Sequence, residues 1–334
     1  MRLLFVKLKH IGDALLLTPT LQATKQAYPD AQIWVVVRKG TEGILKGCPS
    51  IDRVLTAAAP ESRNRGPGGF LSELQLLRQL RAQRFDWAFE LTDGDRGRWF
   101  AGLSRAPNRC VNTSFYKLNP WWRLWFNRQS TRPWTNGHRV EKDFFAVTDF
   151  LPIGSQPPPL VFAPKACESW SLAPANCTYA VLHPGTRWRR KRWPLERWTA
   201  VGKHLLQHLD QICISAGPDP EEVEGAQALA TQLGPRCITT AGKLSWAQLA
   251  GLLHRATLFV GVDTAAMHLA AACQCPTVAL FGPSSHSQWH PWMVRHVMVS
   301  PDGVPWNGSD TTEGLMDKIQ LQDVTAACDR ILVR

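Results

Sequence analysis

The chain has 334 residues, is 44% hydrophobic and carries a formal charge of +11, with an isoelectric point near 9.4. This is ample for two buried cores and points to a soluble globular protein with an acidic partner. No run of eighteen uncharged apolar residues exists, and Lys7, Lys9, His10 and Asp13 interrupt the apolar N-terminus, which excludes a helical membrane span and a signal peptide and places the protein in the cytoplasm.

In chain order, "RLLFVKL" reads as a strand and "ALLLTPTLQATKQAYP" as mostly helix, with Thr18-Pro19 in or before an early turn. The strands "QIWVVVR" and "FDWAFEL" come next. From Leu91 to Lys165 the alternation weakens into turn residues, tryptophans and the proline cluster "IGSQPPPLVFAP", Ile153 to Pro164, which reads as an interdomain linker. It then restarts: strand "TYAVLHP", helix from Leu195, strand "QICISAG", helix from Pro220, strand "RCITTAG" and a helix that Ser245 opens as N-cap. Strand "TLFVGV", helix "TAAMHLAAAC" and strand "PTVALFG" complete the series. Short apolar runs alternating with amphipathic segments predict an α/β protein of two doubly wound, parallel-sheet halves. The expected division is a first domain over 1–155, a linker over 156–176, a second domain over 177–320 and a C-terminal helix over 321–334 that packs back on the first domain.

The nine cysteines are odd in number and lack a C-x-x-C pair or a Cys/His cluster at zinc spacing, so reduced, structural thiols are expected and no metal site. Charge is unevenly spread. Between Glu61 and Arg139 fourteen Lys/Arg face six Asp/Glu, a net of +8. In "NPWWRLWFNRQSTRPW" tryptophans interleave with arginines, as in a headgroup-level membrane contact. A Trp-rich core edge with solvated arginines explains the same pattern, and no nucleic-acid-binding motif supports a third reading.

Ligands of doubly wound sheets sit beyond the carboxyl ends of the strands. Four segments fall there: Gly12-Asp13, Gly185-Thr186, Gly217 to Glu221, and Asp263-Thr264. Neither G-x-G-x-x-G after the first strand nor G-x-x-x-x-G-K-[ST] is present, which removes the best signatures of dinucleotide and P-loop chemistry. Read alone, Asp13 is a helix N-cap, the basic loop 187–192 a solvated surface, and Asp263 with His268 an N-cap and a core histidine.

Three blocks, "KLKHIGDALLLTPTLQATKQAYPDAQIWVVV", "HPGTRWRRKRWPLERW" and "GVDTAAMHLAAACQCPTVALFGPS", resemble the bacterial lipopolysaccharide core heptosyltransferases, the heptosyltransferase III type above all. The resemblance is strong over Met1 to about Leu55 and Tyr179 to about Trp292, and general in between. It implies a GT-B fold, two Rossmann-like domains around a cleft, and inverting, metal-independent transfer of heptose from ADP-L-glycero-β-D-manno-heptose to a heptose of the inner core. Under it the first domain takes the acceptor and the second the donor, with no cofactor.

The resemblance also assigns roles. Asp13, after Gly12, matches the catalytic base, and its helper on the leaving diphosphate is Lys191 in a lysine-x-Trp-Pro pattern, with Thr186 and Arg187 lining the same loop. The D-T-x-x-x-H pattern puts Asp263, Thr264 and His268 at the donor, where a helix start offers free N–H groups and a positive dipole end to phosphate. Ala265 stands where relatives often have glycine. Glu221, or Asp219 in its place, matches the acid on the ribose hydroxyls, and Leu244 packs against adenine. His10, Arg63, Arg65, Arg123 and Arg128 are candidates for the acceptor or the inner-leaflet membrane surface. The expected partners are the nucleotide sugar, the lipopolysaccharide core and that surface, with no nucleic acid and a monomeric protein. The alternatives are transfer to Kdo or the first heptose in the manner of heptosyltransferases I and II, a GT-B-like nucleotide-sugar epimerase, and a noncatalytic basic binder of membrane or nucleic acid.

Overall fold

The structure, a computed structural model, describes residues 1–59, 67–113, 118–132, 137–301 and 314–333. It forms two units, Met1–Pro158 and Pro159–Arg334. The first contains strands β1 (Arg2–Lys7), β2 (Gln32–Arg38), β3 (Arg53–Ala57), β4 (Trp87–Glu90), β5 (Asn108–Asn112) and β6 (Arg128–Ser130). They pair in parallel in the order β3-β2-β1-β4-β5-β6. The second contains β7 (Tyr179–His183), β8 (Gln211–Ile214), β9 (Cys237–Thr239), β10 (Leu258–Val262), β11 (Thr277–Leu280) and β12 (His296–Val299), paired in parallel in the order β12-β11-β10-β7-β8-β9. Counted from its own first strand, each sheet has the order 3-2-1-4-5-6. In that arrangement the chain reverses direction of travel between strands 1 and 4, and a crevice opens where their loops leave.

Strands covered by helices on both faces need apolar side chains on both faces. Leu3 to Val6 of β1, Ile33 and Val35 to Val37 of β2, and every residue of β10 meet this demand, the apolar ones being fully buried. Strands that carry polar residues at their ends are harder to see in the sequence. In β5 only Cys110 and Val111 are buried, and β6 is a three-residue edge strand, Arg-Gln-Ser. The stretch Leu91 to Lys165 is therefore not loop-rich filler: it holds β5, β6 and the helices Asp95–Leu103, Pro120–Trp125 and Arg139–Thr148.

Helix boundaries obey local chemistry. Ser245 opens the helix Trp246–Leu253 as expected: Gln248 N donates to Ser245 Oγ at 3.1 Å while Ser245 N donates to Gln248 Oε1 at 3.0 Å. The first helical region is two helices, Ile11–Leu16 and Thr18–Ala27, with Pro19 in the first turn of the second, where its missing N–H costs no hydrogen bond.

Two boundaries differ from expectation. The unit boundary falls between Pro158 and Pro159, inside the expected 156–176 linker, and the rest of that segment is built into the second unit. Leu160 and Phe162 are fully buried, Phe162 N donates to Ala272 O at 3.0 Å, and Glu168 N donates to Ala247 O at 3.1 Å. The C-terminal helix, Leu321–Leu332, was expected to return to the first domain; instead Val324, Ala327, Cys328 and Ile331 complete the core of the second unit. Its apolar stripe at i, i+3, i+4 and i+7 is satisfied there. Among the described residues no helix is long and apolar enough to cross a membrane.

Candidate functional site

In the second unit β7 and β10 lie side by side with Gly261 opposite His183, so the loops that leave them emerge together. The β7 loop begins at Pro184 and ends in a single 3-10 turn, Arg189–Lys191. The β10 loop is only Asp263 and Thr264 before the helix Ala265–Ala272. These two loops bring predicted residues into contact: Lys191 Nζ lies 2.7 Å from Asp263 Oδ2, and both side chains are largely buried, at 13% and 8% exposure. A buried pair of this kind leaves an uncompensated charge if either partner is removed.

Around this pair the backbone supplies donors. Thr264 is the N-cap residue, in extended conformation, and its side chain caps nothing. Its hydroxyl is buried with no hydrogen-bond partner among the described residues, at the end where the helix carries free N–H groups and the positive end of its dipole. Ala265 is the first helical residue, and His268, one turn on, is 3% exposed with its ring 6.3 Å from that of Trp289. Thr186 is buried; its Oγ1 accepts from Trp188 N at 3.2 Å, and its carbonyl accepts from Arg192 Nε at 3.2 Å. Arg187 and Arg190 both stack on the Trp188 ring, at 4.9 and 4.6 Å from its centroid. His183, at the end of β7, is a structural group: burial pulls its pKa down to about 4, and Nδ1 lies 2.8 Å from Ser215 Oγ.

The acid expected on a ribose is placed differently. Glu221 is exposed and bound to Arg189 and to Arg192 Nη1, the latter at 2.7 Å, contacts that hold its carboxyl below the usual range. Asp219 is the N-cap of the helix Pro220–Leu233 and accepts from Glu221 N at 3.0 Å. It is Glu222, not singled out from the sequence, that turns inward. Its Oε2 accepts from Gly217 N at 3.0 Å, and a Cβ on Gly185 would lie 2.4 Å from the same oxygen. Burial raises the Glu222 pKa. The two glycines beyond adjacent strands were visible in the sequence, but the carboxylate that crowds both was not. Leu244 is half-buried ahead of Ser245.

In the first unit the corresponding loops leave β1 and β4, again adjacent strands. Gly12 and Asp13 are both inside the helix Ile11–Leu16. At the third helical position, 8% exposed, Asp13 accepts from His10 N through Oδ2 at 3.2 Å, so one carboxylate oxygen serves the helix start. His10 itself is exposed.

Near Asp13 lies a charged network that sequence reasoning missed. Lys7 Nζ lies 2.6 and 2.9 Å from the two oxygens of Asp143, with both residues buried. Asp93 is shared by Lys142 and, at 3.4 Å, Lys9. Burial alone would favour neutral Lys7, but Asp143, Asp13 and Asp93 outweigh it and raise its pKa. Glu90, fully buried at the end of β4, is pushed up to about 7 by burial and by nearby Asp93. Its Oε1 accepts from Thr92 N at 2.7 Å.

The Trp-rich segment is part core and part solvent-exposed. Trp122 is buried and donates to Asp95 Oδ1 at 2.8 Å, whereas Trp99, Trp121 and Leu124 are exposed at 46%, 53% and 78%. Arg123 and Arg128 are exposed beside them in sequence. Arg63, Arg65 and Trp134 lie outside the described residues.

Relatives sharpen this picture. Escherichia coli lipopolysaccharide heptosyltransferase 3 is 29% identical, with 96% of this chain and 96% of that protein aligned. Lipopolysaccharide heptosyltransferase 1 of Pseudomonas aeruginosa is 27% identical over 85% of this chain and 79% of its own length. Among solved structures, the E. coli heptosyltransferase WaaC with ADP superposes with a TM-score of 0.81 at 21% identity, covering 99% of this chain and 100% of that one, which identifies the GT-B fold. Residues 73–306, spanning β4 to β6 of the first sheet, the whole second sheet and the loops after β4, β7 and β10, match Glycosyltransferase family 9 (heptosyltransferase). The chain therefore belongs to glycosyltransferase family 9, the heptosyltransferases.

Proposed function

We propose that the protein transfers heptose, with inversion, from ADP-L-glycero-β-D-manno-heptose to a heptose of the lipopolysaccharide inner core. The observation that carries this reading is the Lys191–Asp263 pair beside the Thr264 helix end, at the reversal point of the second sheet. It supplies a cation, an uncapped helix N-terminus and a hydroxyl with no hydrogen-bond partner among the described residues, a set suited to a departing diphosphate.

Asp13 takes the proton of the acceptor hydroxyl. The oxygen so activated bonds to the anomeric carbon, the bond from that carbon to the phosphate oxygen breaks, and ADP leaves with the electron pair. Lys191 and the N–H groups following Thr264 balance the charge that grows on the diphosphate, and Thr264 donates its hydroxyl. Asp263 accepts from heptose hydroxyls; when the donor is present Lys191 is shared between this carboxylate and the phosphate. His268 orients the phosphate or sugar. Glu222, facing Gly185 and Gly217, is better placed for the ribose than Glu221, which its arginine partners hold at the surface.

The step uses no metal or cofactor, and the enzyme works as a cytoplasmic monomer at the inner leaflet, with Trp99, Trp121 and Leu124 beside Arg123 and Arg128 as the membrane-facing surface. Membership of a transferase family sets the epimerase and noncatalytic readings aside.

The decisive experiment incubates the protein with ADP-heptose and core lipopolysaccharides truncated at defined sugars, and weighs the products. A gain of one heptose on an acceptor ending in heptose is expected. Gain only on a Kdo-terminated acceptor, or isomerised donor without transfer, overturns the assignment.

A further inference from the structure

One cluster of ligating side chains takes no part in the chemistry above. His204, in the last turn of the helix Leu195–Leu205, and His208, one turn on, meet Asp329 of the C-terminal helix. His204 Nε2 lies 2.7 Å from Asp329 Oδ1, the His204 and His208 ring centroids are 5.4 Å apart, and one donor atom from each of the three residues lies within 4.8 Å of the other two. His208 is exposed, and His204 and Asp329 are half-buried with the Asp329 side chain 47% exposed, so a hydrated ion has access. His208 lies past the helix end, in the turn over 206–208, and this turn keeps its ring beside that of His204.

We propose that His204, His208 and Asp329 form a binding site for a borderline divalent transition metal, Zn2+ by chemical class, which clips the C-terminal helix to the helix Leu195–Leu205. Two imidazoles and one carboxylate suit Zn2+, Co2+ or Ni2+, whereas Mg2+ and Ca2+ call for an all-oxygen shell. With metal–ligand bonds of about 2.0–2.1 Å, tetrahedral geometry separates donor atoms by about 3.3 Å. His204 and Asp329 need only part by about half an ångström, and His208 swing in by at most about 1.5 Å, movements within reach of side-chain rotation at a surface. Water completes the shell.

The consequence is mechanical. Asp329 is the neighbour of Cys328, which is fully buried in the second core, so an ion bound there holds the last helix in place and, by binding only the folded chain, raises its stability. Asp329 lies more than a hundred positions beyond either histidine, so no local spacing announces the full set.

The test uses the whole chain, stripped with chelator and titrated with ZnCl2 by calorimetry and with CoCl2 by visible absorption. Expected are one saturable site per chain, Co2+ bands of nitrogen and oxygen ligation, a rise in the thermal transition with Zn2+, and no competition from Mg2+ or Ca2+. Removing a direct ligand should cost no less than losing a supporting group, so His208→Ala and Asp329→Asn each weaken binding by at least about tenfold. His290→Ala, from the stacked His290–His296 pair elsewhere in the unit, binds as wild type. His208 is exposed, and circular dichroism of the metal-free variant confirms its fold. Absence of saturable binding, or binding unchanged in both ligand variants, overturns the proposal.

Discussion

The two units share a strand order and differ in what fills the point where it reverses. After β1 and β4 the space is taken by side chains of both signs: Lys7 on Asp143, Lys142 and Lys9 on Asp93, and Glu90 beneath them. After β7, β8 and β10 it is shaped by backbone, through Gly185, Gly217 and the start of the helix Ala265–Ala272, with a single buried ion pair among the described residues. Rossmann-like topology therefore prescribes where a ligand sits but not its charge. A surface of N–H groups with one lysine favours a phosphate, while the first unit offers clustered carboxylates and lysines that pair with one another.

This contrast breaks most directly at Asp13. Replacing it by Asn should lower kcat by about a thousandfold, as expected for loss of a general base, and leave ADP binding to the second unit unchanged. An equal loss of ADP affinity would mean that the two loop systems do not divide the labour as described.

Lys191→Ala comes next, with an expected fall in kcat of about a hundredfold or more, the scale of losing one charge-stabilising group. Part of that loss arises because Asp263 is left unpaired facing the diphosphate. In a double-mutant cycle on ADP affinity, Lys191→Ala with Asp263→Asn should bind more tightly than Lys191→Ala alone. Simple additivity would show that the pair is not coupled.

Glu90 sharpens the comparison through stability. Its carboxyl is raised from 4.5 to about 7 in the folded protein, so between these values the native state holds a proton that the unfolded chain has lost. Stability must fall as pH rises through that window, by at most on the order of 3 kcal/mol. Glu90→Gln should flatten the fall and be more stable than wild type at pH 8, as measured by urea unfolding from pH 5 to pH 8. An unchanged profile would remove Glu90 from the account.

A smaller effect separates the adjacent acids. Glu222→Gln should weaken ADP binding by about tenfold, the loss of a hydrogen bond to a charged group, whereas Glu221→Gln should stay within about twofold, as expected for an exposed ion pair. The opposite ranking would return the ribose to Glu221. The smallest change is expected at the surface: Trp121→Ser with Leu124→Ser should reduce binding to anionic vesicles a few-fold, without altering kcat on a detergent-dispersed acceptor.

Much of the architecture was legible because a strand buried on both faces leaves a run of apolar residues, as in "IWVVV" and "LFVGV". The Ser245 cap was legible too, since a hydroxyl three residues ahead of Gln248 has one efficient use. β5 and β6 were hidden because edge strands with polar ends lack that run. The residues carrying the family motifs could be named, but their companions could not. Lys7 and Asp143 are separated by 136 positions, and nothing local to either shows that it is buried.

What the chain by itself determined is the alternation that makes two doubly wound sheets and the segments, after β1, β7 and β10, that carry the family motifs. What only the tertiary structure decided is which neighbour of a pair faces inward and which distant charges meet. Adjacent helical residues point about 100° apart, so the choice between Glu221 and Glu222 rests on packing against Gly185 and Gly217. The pairing of Lys191 with Asp263 rests on β7 and β10 being neighbours, because hydrophobic pattern specifies elements while charge partners are set by the path of the folded chain.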